Sequence, residues 1–533
     1  MAFSAEYIPY KATRSFSALA ADYIEGIEKL RTFYRHTPDI AGIENAIACR
    51  KKMATNRVAL VNQLKTQYAG LALGPKLQAN IDSLLRDDTF TVTTAHQPNI
   101  FTGHLYFIYK ILHAVKLADD LNTAITTAHF IPVFYMGSED ADLEELGEVT
   151  INGKKYTWET RQAGAVGRMK VDKAFLDLIT AIDGQLSVTP LGKEIMEVVK
   201  KTYVIGTTIE LATLELVHTL FGDYGLVVLL PDNAVLKKEF IPISTKELNE
   251  HFSSRAVAAT IARFPAEYKV QAAGRDINLF YLVDDIRERI EAKGEKYAIA
   301  NTKLSFTKAE LAEELRQHPE RFSPNVILRP VYQELILPNI VFIGGGGELA
   351  YWLELKEVFE AAGVPYPVIV LRNSFTVINK RTAEKIRSLG FTATDFFKPA
   401  DALVKELVEK ESAHKLLLDK EKNELGALYE TIANTAAAVD ITLRRHVAAL
   451  VHQALKRIGL LEKKMLRAEK KRFETAQRQI RKIKAELFPG GTLQERVDNL
   501  LPYYAIWGNE FIKTIYAHST GLRQEFCLLE EKE

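Results

Sequence analysis

Five short runs without a charged residue, apolar but for the threonines of the first, constrain this chain most: Phe90 to Ala95, Phe130 to Met136, Gly225 to Leu230, Ile340 to Ile343 and Pro367 to Leu371. A strand with one wet face alternates apolar and polar residues. A strand covered on both faces does not, so runs of this kind belong inside a parallel sheet. Between the first two lies LYFIYKILHAVKLADDL, whose Leu105, Ile108, Leu112, Val115 and Leu117 are spaced for one helix face. Strand, helix and strand of these lengths make a right-handed crossover. Helical patterns also follow the third and fourth runs, around Leu236 to Phe264 and Glu348 to Ala362. The expected core is an open α/β sheet, which binds ligands at the carboxyl ends of its strands.

The remaining chain is arranged around that core. Its 533 residues allow three or four units at roughly 150 residues each. Residues 1–146 are assigned to N-terminal helices and the first half of the core, which continues through 223–264 and 325–398. Residues 147–222 open on a hairpin signal with its turn at Asn152-Gly153 and then become helical. Residues 265–324 are turn-rich and end in the helical stretch TKAELAEELRQH. Both read as insertions. Over 399–490, Leu418, Leu425, Ile432 and Val439 fall seven apart, and Val451, Leu455, Ile458, Leu461 and Met465 step by four and three. That spacing predicts an antiparallel helical coiled coil folding back near Asp440. Residues 491–533 are expected to be a helical segment packed on the core or on the coiled coil.

Lys plus Arg total 69 against 68 Asp plus Glu, a net charge of +1 that argues against a surface built to coat a polyanion. The balance is uneven. Lys456 to Glu486 holds twelve basic and four acidic residues, or +8, which leaves −7 for the rest. This basic helix reads as a solvated face around an apolar seam, with RNA binding as the rival reading. Only Cys49 and Cys527 occur, which excludes a disulfide framework or a Cys-rich zinc module. No zinc spacing, nucleophile elbow or membrane-length apolar run is present, and the N-terminus lacks a signal-peptide core. A cytoplasmic protein with no membrane contact is expected.

Polar clusters follow several of the apolar runs. After the first come His96, Gln97 and Asn99, then Gly103 and His104 opening a helix, where backbone N–H groups can meet an anion. After the second come Glu139, Asp140 and Asp142, which could hold an ammonium, a ribose hydroxyl or Mg²⁺, or could simply cap the helix that LEEL begins. Arg329 and Gln333 precede the fourth run, which delivers Gly344, Gly345, Gly346 and Gly347, then Glu348, Tyr351 and Trp352. Four consecutive glycines cost conformational entropy and make sense where backbone lies against a ligand. Arg329, set among apolar residues, needs a partner. The last run ends at Arg372 and Ser374.

TAHQPNIFTGHLYFIYKILHAVKLA, PVFYMGSEDADLEEL, HPERFSPNVILRPVYQELILPNIVFIGGGGELAYWLELKEVF and LFPGGTLQERVDNLLPYY together resemble the BshC family, cysteine ligases of bacillithiol biosynthesis. The resemblance implies a Rossmann-like, nucleotidyltransferase-type core, connecting-peptide insertions and a coiled coil that makes a homodimer. It implies amide formation between L-cysteine and the amine of glucosaminyl-malate (GlcN-malate), with ATP or another adenine nucleotide, and with Mg²⁺, as expected cofactors. The roles it implies are catalytic for His104, Glu139, Asp140, Asp142 and Arg329, and nucleotide-binding for His96, Gln97, Asn99, Gly103, Gly344, Gly345, Gly347 and Glu348. Gln333, Tyr351, Trp352, Arg372 and Ser374 would bind substrate. The core also resembles carboxylate-adenylating enzymes with an H-x-G-H signature, here Phe101-Thr102-Gly103-His104. Ala95-His96-Gln97 stands where the family pattern has Gly-Gln-Gln, Ala141 where it has His, and Gly346 where it has Pro. Two rival readings accompany this one: another carboxylate–amine ligase on the same scaffold, and a non-enzymatic coiled-coil scaffold or RNA-binding protein.

Overall fold

The computed structural model describes residues 3–272, 274–412 and 417–532. They divide into two compact units, one of residues 3–376 with 492–529, the other of residues 377–491 with 530–532.

The first unit is built on a five-stranded parallel sheet: β1 (Thr89–His96), β2 (His129–Met136), β3 (Val227–Leu229), β4 (Asn339–Gly344) and β5 (Val368–Leu371). Its spatial order is β5-β4-β1-β2-β3. The order reverses direction between β1 and β4, and the crevice beyond their carboxyl ends is where such sheets bind ligands. Every residue of β4 and β5 is buried, as unbroken apolar runs require. Helix α1 (Leu105–Ala124) makes the crossover from β1 to β2 and seats Leu117 and Leu121 against Phe90, Val92 and Phe130. Helices α2 (Arg329–Ile336) and α3 (Gly346–Leu353) flank β4 in sequence. The core is Rossmann-like, as expected.

Differences lie outside the sheet. The helical pattern around Leu236 to Phe264 forms two helices, Ala234–Glu250 and Phe252–Ile261, separated at His251 with φ of +49°. The helical N-terminal region is preceded by a strand, Phe3–Ile8, that pairs with Phe526–Glu531. The first insertion has the expected hairpin, Glu148–Ile151 with Lys154–Thr157, followed by three longer helices, Lys173–Leu186, Pro190–Thr202 and Ile209–Phe221. The second carries a five-stranded antiparallel sheet where only turns and a helix were expected. Its long strand, Ile286–Lys293, is half-buried and studded with Arg and Glu, so it lacks the apolar run that revealed the core.

In the second unit, Asp419–Val439 and Leu443–Lys470 form an antiparallel pair. The reversal falls at Asp440, whose carboxylate accepts the Thr442 N–H (2.9 Å) and O–H (2.8 Å). Lys422 and Glu462 bridge the two helices at 2.6 Å. Residues 413–416, which also fall in the predicted coiled coil, lie outside the described residues.

Candidate functional site

A cavity of about 290 Å³ opens at the carboxyl ends of β1 and β4, at the reversal of strand order. It gathers ten of the predicted residues: His96, Gln97, Arg329, Gln333, Gly345, Gly347, Glu348, Tyr351, Trp352 and Arg372. Four cations line it, Lys110, Arg329, Arg372 and Arg496, against one carboxylate, Glu348.

Each cation but the last is held by an acidic partner, buried for the two arginines and half-buried for Lys110. Arg329 opens α2 and gives Nη1 to Asp140 Oδ2 at 2.6 Å; the same oxygen accepts from Gln97 at 2.9 Å, and Arg287 reaches Oδ1 at 3.4 Å. Burial pushes the Asp140 carboxyl up, but Arg329 and Arg287 outweigh it and hold it below the ordinary range. Gly137 makes room for this pair, since a Cβ there would sit 3.1 Å from Arg329 Nη1. Lys110 projects from α1 to the Ala95 carbonyl (2.9 Å) and pairs with Glu348. Arg372, at the end of β5, donates to Glu495 Oε1 (2.7 Å) and Ser374 Oγ (2.9 Å). His96 is held neutral: burial drives its pKa well below 6.5, and Lys110 and Arg372 add to the shift. Its Nε2 is buried and has no hydrogen-bond partner among the described residues.

α3 begins beside this wall. Glu348 turns back to accept the Gly345 N–H at 2.8 Å, which orders the glycine loop at the helix N-terminus. The first N–H groups of α3 have no acceptor within the helix, so the loop presents donors to an anion. Trp352 is 1% exposed and stacks on Phe342 with centroids 4.3 Å apart, so it serves as cavity floor and core at once.

The remaining predicted residues lie elsewhere. Asp140 stands behind Arg329. Glu139 turns away to Lys237, which also contacts Asp232 at 3.3 Å, and Asp232 in turn holds Arg168 at 2.7 Å. Asp142 is exposed and caps Leu143–Leu146 through the Glu145 N–H (3.4 Å). Ala141 is exposed beside it, outside the cavity wall. Ser374 is buried and donates to Glu495 Oε1 at 3.2 Å. Gly344 ends β4 under Glu348. Asn99, Gly103 and His104 form a separate turn covered by the C-terminal segment: Asn499 Nδ2 donates to the Phe101 carbonyl at 2.8 Å, the Leu105 N–H to the Asp498 carbonyl at 2.8 Å, and His104 Nδ1 lies 3.2 Å from the Val497 carbonyl. Gly103 is required by shape, with φ of +60° and a Cβ position 2.7 Å from Asn99 Cβ. Phe101, in the place of a first signature His, is fully buried between Phe175 and Tyr203, both at 5.3 Å.

Comparison with known proteins identifies the lineage of this arrangement. Residues 3–373 match the family model "Bacillithiol biosynthesis BshC, N-terminal Rossmann-like domain", and residues 375–531 match "Bacillithiol biosynthesis BshC, C-terminal coiled-coil domain". The chain belongs to the BshC family. BshC proteins named "Putative cysteine ligase BshC" resemble it along nearly their whole length. That of Flavobacterium johnsoniae is 37% identical over 526 residues, 98% of this chain and 99% of that one. That of Cytophaga hutchinsonii is 39% identical over 503 residues, 94% of each.

In this BshC chain the cavity contains residues that the motifs did not single out. Lys110 was legible in principle, as the lone charge in the apolar stretch LYFIYKILHA. Arg496 and Glu495 come from the C-terminal segment, and nothing in LQERVDNL points to a place beside β5. Among the described residues no group of three or more His, Cys, Asp or Glu is placed to hold a metal ion, and Glu139 and Asp140 are committed to Lys237 and Arg329.

Behind the cavity, Glu210 from the first insertion is pushed up to about 8 by burial, with Asp232 adding to the shift. The folded protein therefore keeps a proton that the unfolded chain releases near 4.5. Its stabilising contribution is complete below about pH 4.5 and is lost as pH rises toward 8. Glu210→Gln, which cannot ionise, is expected to melt a few degrees above the parent at pH 8.5 and level with it near pH 4. Thermal unfolding at the two pH values checks this.

Proposed function

We propose that this cavity joins the carboxylate of L-cysteine to the free amine of GlcN-malate, forming an amide. The observation that carries the reading is the convergence of Lys110, Arg329, Arg372 and Arg496 on one cavity beside the glycine loop. A carboxylate and an amine do not condense in water without activation, and the activating group leaves as an anion. ATP would supply that activation. The residues present fit a phosphate group: Gly346 and Gly347 offer backbone donors, space is open where a Gly347 side chain would project, and Arg372 and Arg496 flank the loop. A metal cage built by the protein alone does not fit, so Mg²⁺ would arrive with the phosphates.

The chain's own groups then divide the work. Arg329, fixed by Asp140, would stabilise negative charge developing on the acyl oxygen. Neutral His96 offers a hydrogen bond without adding charge. Glu348, the cavity's carboxylate, would hold an ammonium and accept the proton that the amine releases. The reading takes the protein as cytoplasmic and as a homodimer through its helical unit, where Leu428, Val439, Ile441 and Leu460 are exposed. Pure protein incubated with ATP, cysteine and GlcN-malate is expected to yield the thiol-bearing amide by mass spectrometry. No product over a range of divalent ions and nucleotides would overturn the reading.

A further inference from the structure

We infer that a second chamber, behind the glycine loop, receives the dicarboxylate end of the amine substrate. The inference rests on the ligase reading for the identity of the anion but on the structure for the chamber. The chamber has a volume of about 330 Å³. Ser15, Phe16 and Ser17 from the N-terminal segment and Tyr268 and Lys269 from the second insertion line it. It shares Gly346, Gly347 and Arg496 with the first cavity, so only a loop without side chains and one cation separate the two.

Its charge is one-sided. Glu267, the chamber's acidic residue, is neutralised by Lys29 at 2.8 Å. Among the described residues neither Lys269 nor Arg496 has an ion-pair partner, although the other charges that line the two cavities do. Ser17 Oγ accepts the Ala20 N–H at 3.3 Å, which leaves its own O–H to donate. Two unpaired cations and a free hydroxyl suit an anion of two charges.

Space decides which anion. An amide-forming ligase must hold an acid, an amine and an activating group together, and about 290 Å³ is small for all three. With cysteine and a phosphate chain at the first cavity, the malate carboxylates of the acceptor extend past Gly346 and Gly347 to Lys269. Arg496, on both walls, holds the junction. A phosphate chain shares the same chemistry, so the test must separate the two anions.

Lys269 lines only the second chamber and is exposed, so Lys269→Ala leaves the first cavity and the fold intact. L-Malate and ATP are each titrated calorimetrically into full-length parent and variant. The parent is expected to bind malate, the variant about tenfold more weakly, with ATP affinity unchanged within twofold. Equal affinity of the two proteins for both malate and ATP, or no malate binding by the parent, overturns the chamber. A loss confined to ATP overturns the acceptor assignment and gives the chamber to phosphate. Lys269-dependent malate binding in a protein that forms no amide supports the chamber and removes the ligase reading instead.

Discussion

Replacing Arg329 by methionine is expected to lower kcat/KM for amide formation by about 10²- to 10³-fold, the usual cost of removing one preorganised donor from developing negative charge. The fold should survive. Asp140, the partner left behind, keeps its hydrogen bonds from Gln97 (2.9 Å) and Arg287 (3.4 Å), so its charge is not stranded. Methionine keeps the aliphatic stem of arginine and removes the charge. Asp140→Asn tests the same unit from behind. It keeps the shape but weakens the grip on the guanidinium, and a loss of about tenfold is expected. If Asp140 acts by positioning Arg329, the double variant is no worse than Arg329→Met alone. Steady-state kinetics on the three proteins, with a melting curve for each, decides. Activity of Arg329→Met within threefold of the parent would remove Arg329 from the chemistry, and additive losses would remove the positioning role of Asp140.

How far the sequence reveals this site depends on whether a residue's surroundings are local. The strands were legible because burial on both faces excludes charged positions and favours apolar ones, and their carboxyl ends led directly to His96, Gln97, Glu348 and Arg372. Arg329 stood out as a charge among apolar residues, and its partner does lie buried, 189 residues away. The acidic cluster after β2 had two local readings, and three residues took three paths: Glu139 into a buried network, Asp140 behind the cavity, Asp142 into a helix cap. The turn after the strand points all three differently, and its sequence does not reveal which neighbour waits on each side. The signature-like turn at Phe101 to His104 shows the opposite error. Its sequence suggests an anion site, yet residues 497–499 fold back onto it and take up the Phe101 carbonyl, the Leu105 N–H and the His104 ring. Long-range pairs of this kind are fixed by topology and leave no periodicity in either partner.

The C-terminal segment contributes more than cover, and Glu495→Ala is expected to destabilise the protein by about 3–5 kcal/mol, the cost of breaking one side of a buried ion pair. Glu495 and Arg372 are 0% and 3% exposed at their side chains, and Glu495 Oε1 takes hydrogen bonds from both Arg372 and Ser374. Burial alone would make the Arg372 guanidinium easier to deprotonate; Glu495 more than reverses this, so the pair folds as a charged unit. Removing the carboxylate strands a cation left with the Asn373 carbonyl (3.0 Å), Ser374 Oγ (2.9 Å) and the face of the Tyr106 ring (5.3 Å). Replacing both partners, Arg372→Met with Glu495→Leu, removes the stranded charge along with the bond, and should cost much less than Glu495→Ala alone. Urea unfolding of the three proteins measures the difference. A double variant as unstable as Glu495→Ala would mean that packing, and not the uncompensated charge, sets the cost. The double variant should nonetheless be a poor ligase, because Arg372 is then missing from the cavity wall. Stability recovered without activity would show that this ion pair is retained for the cation it delivers to the site.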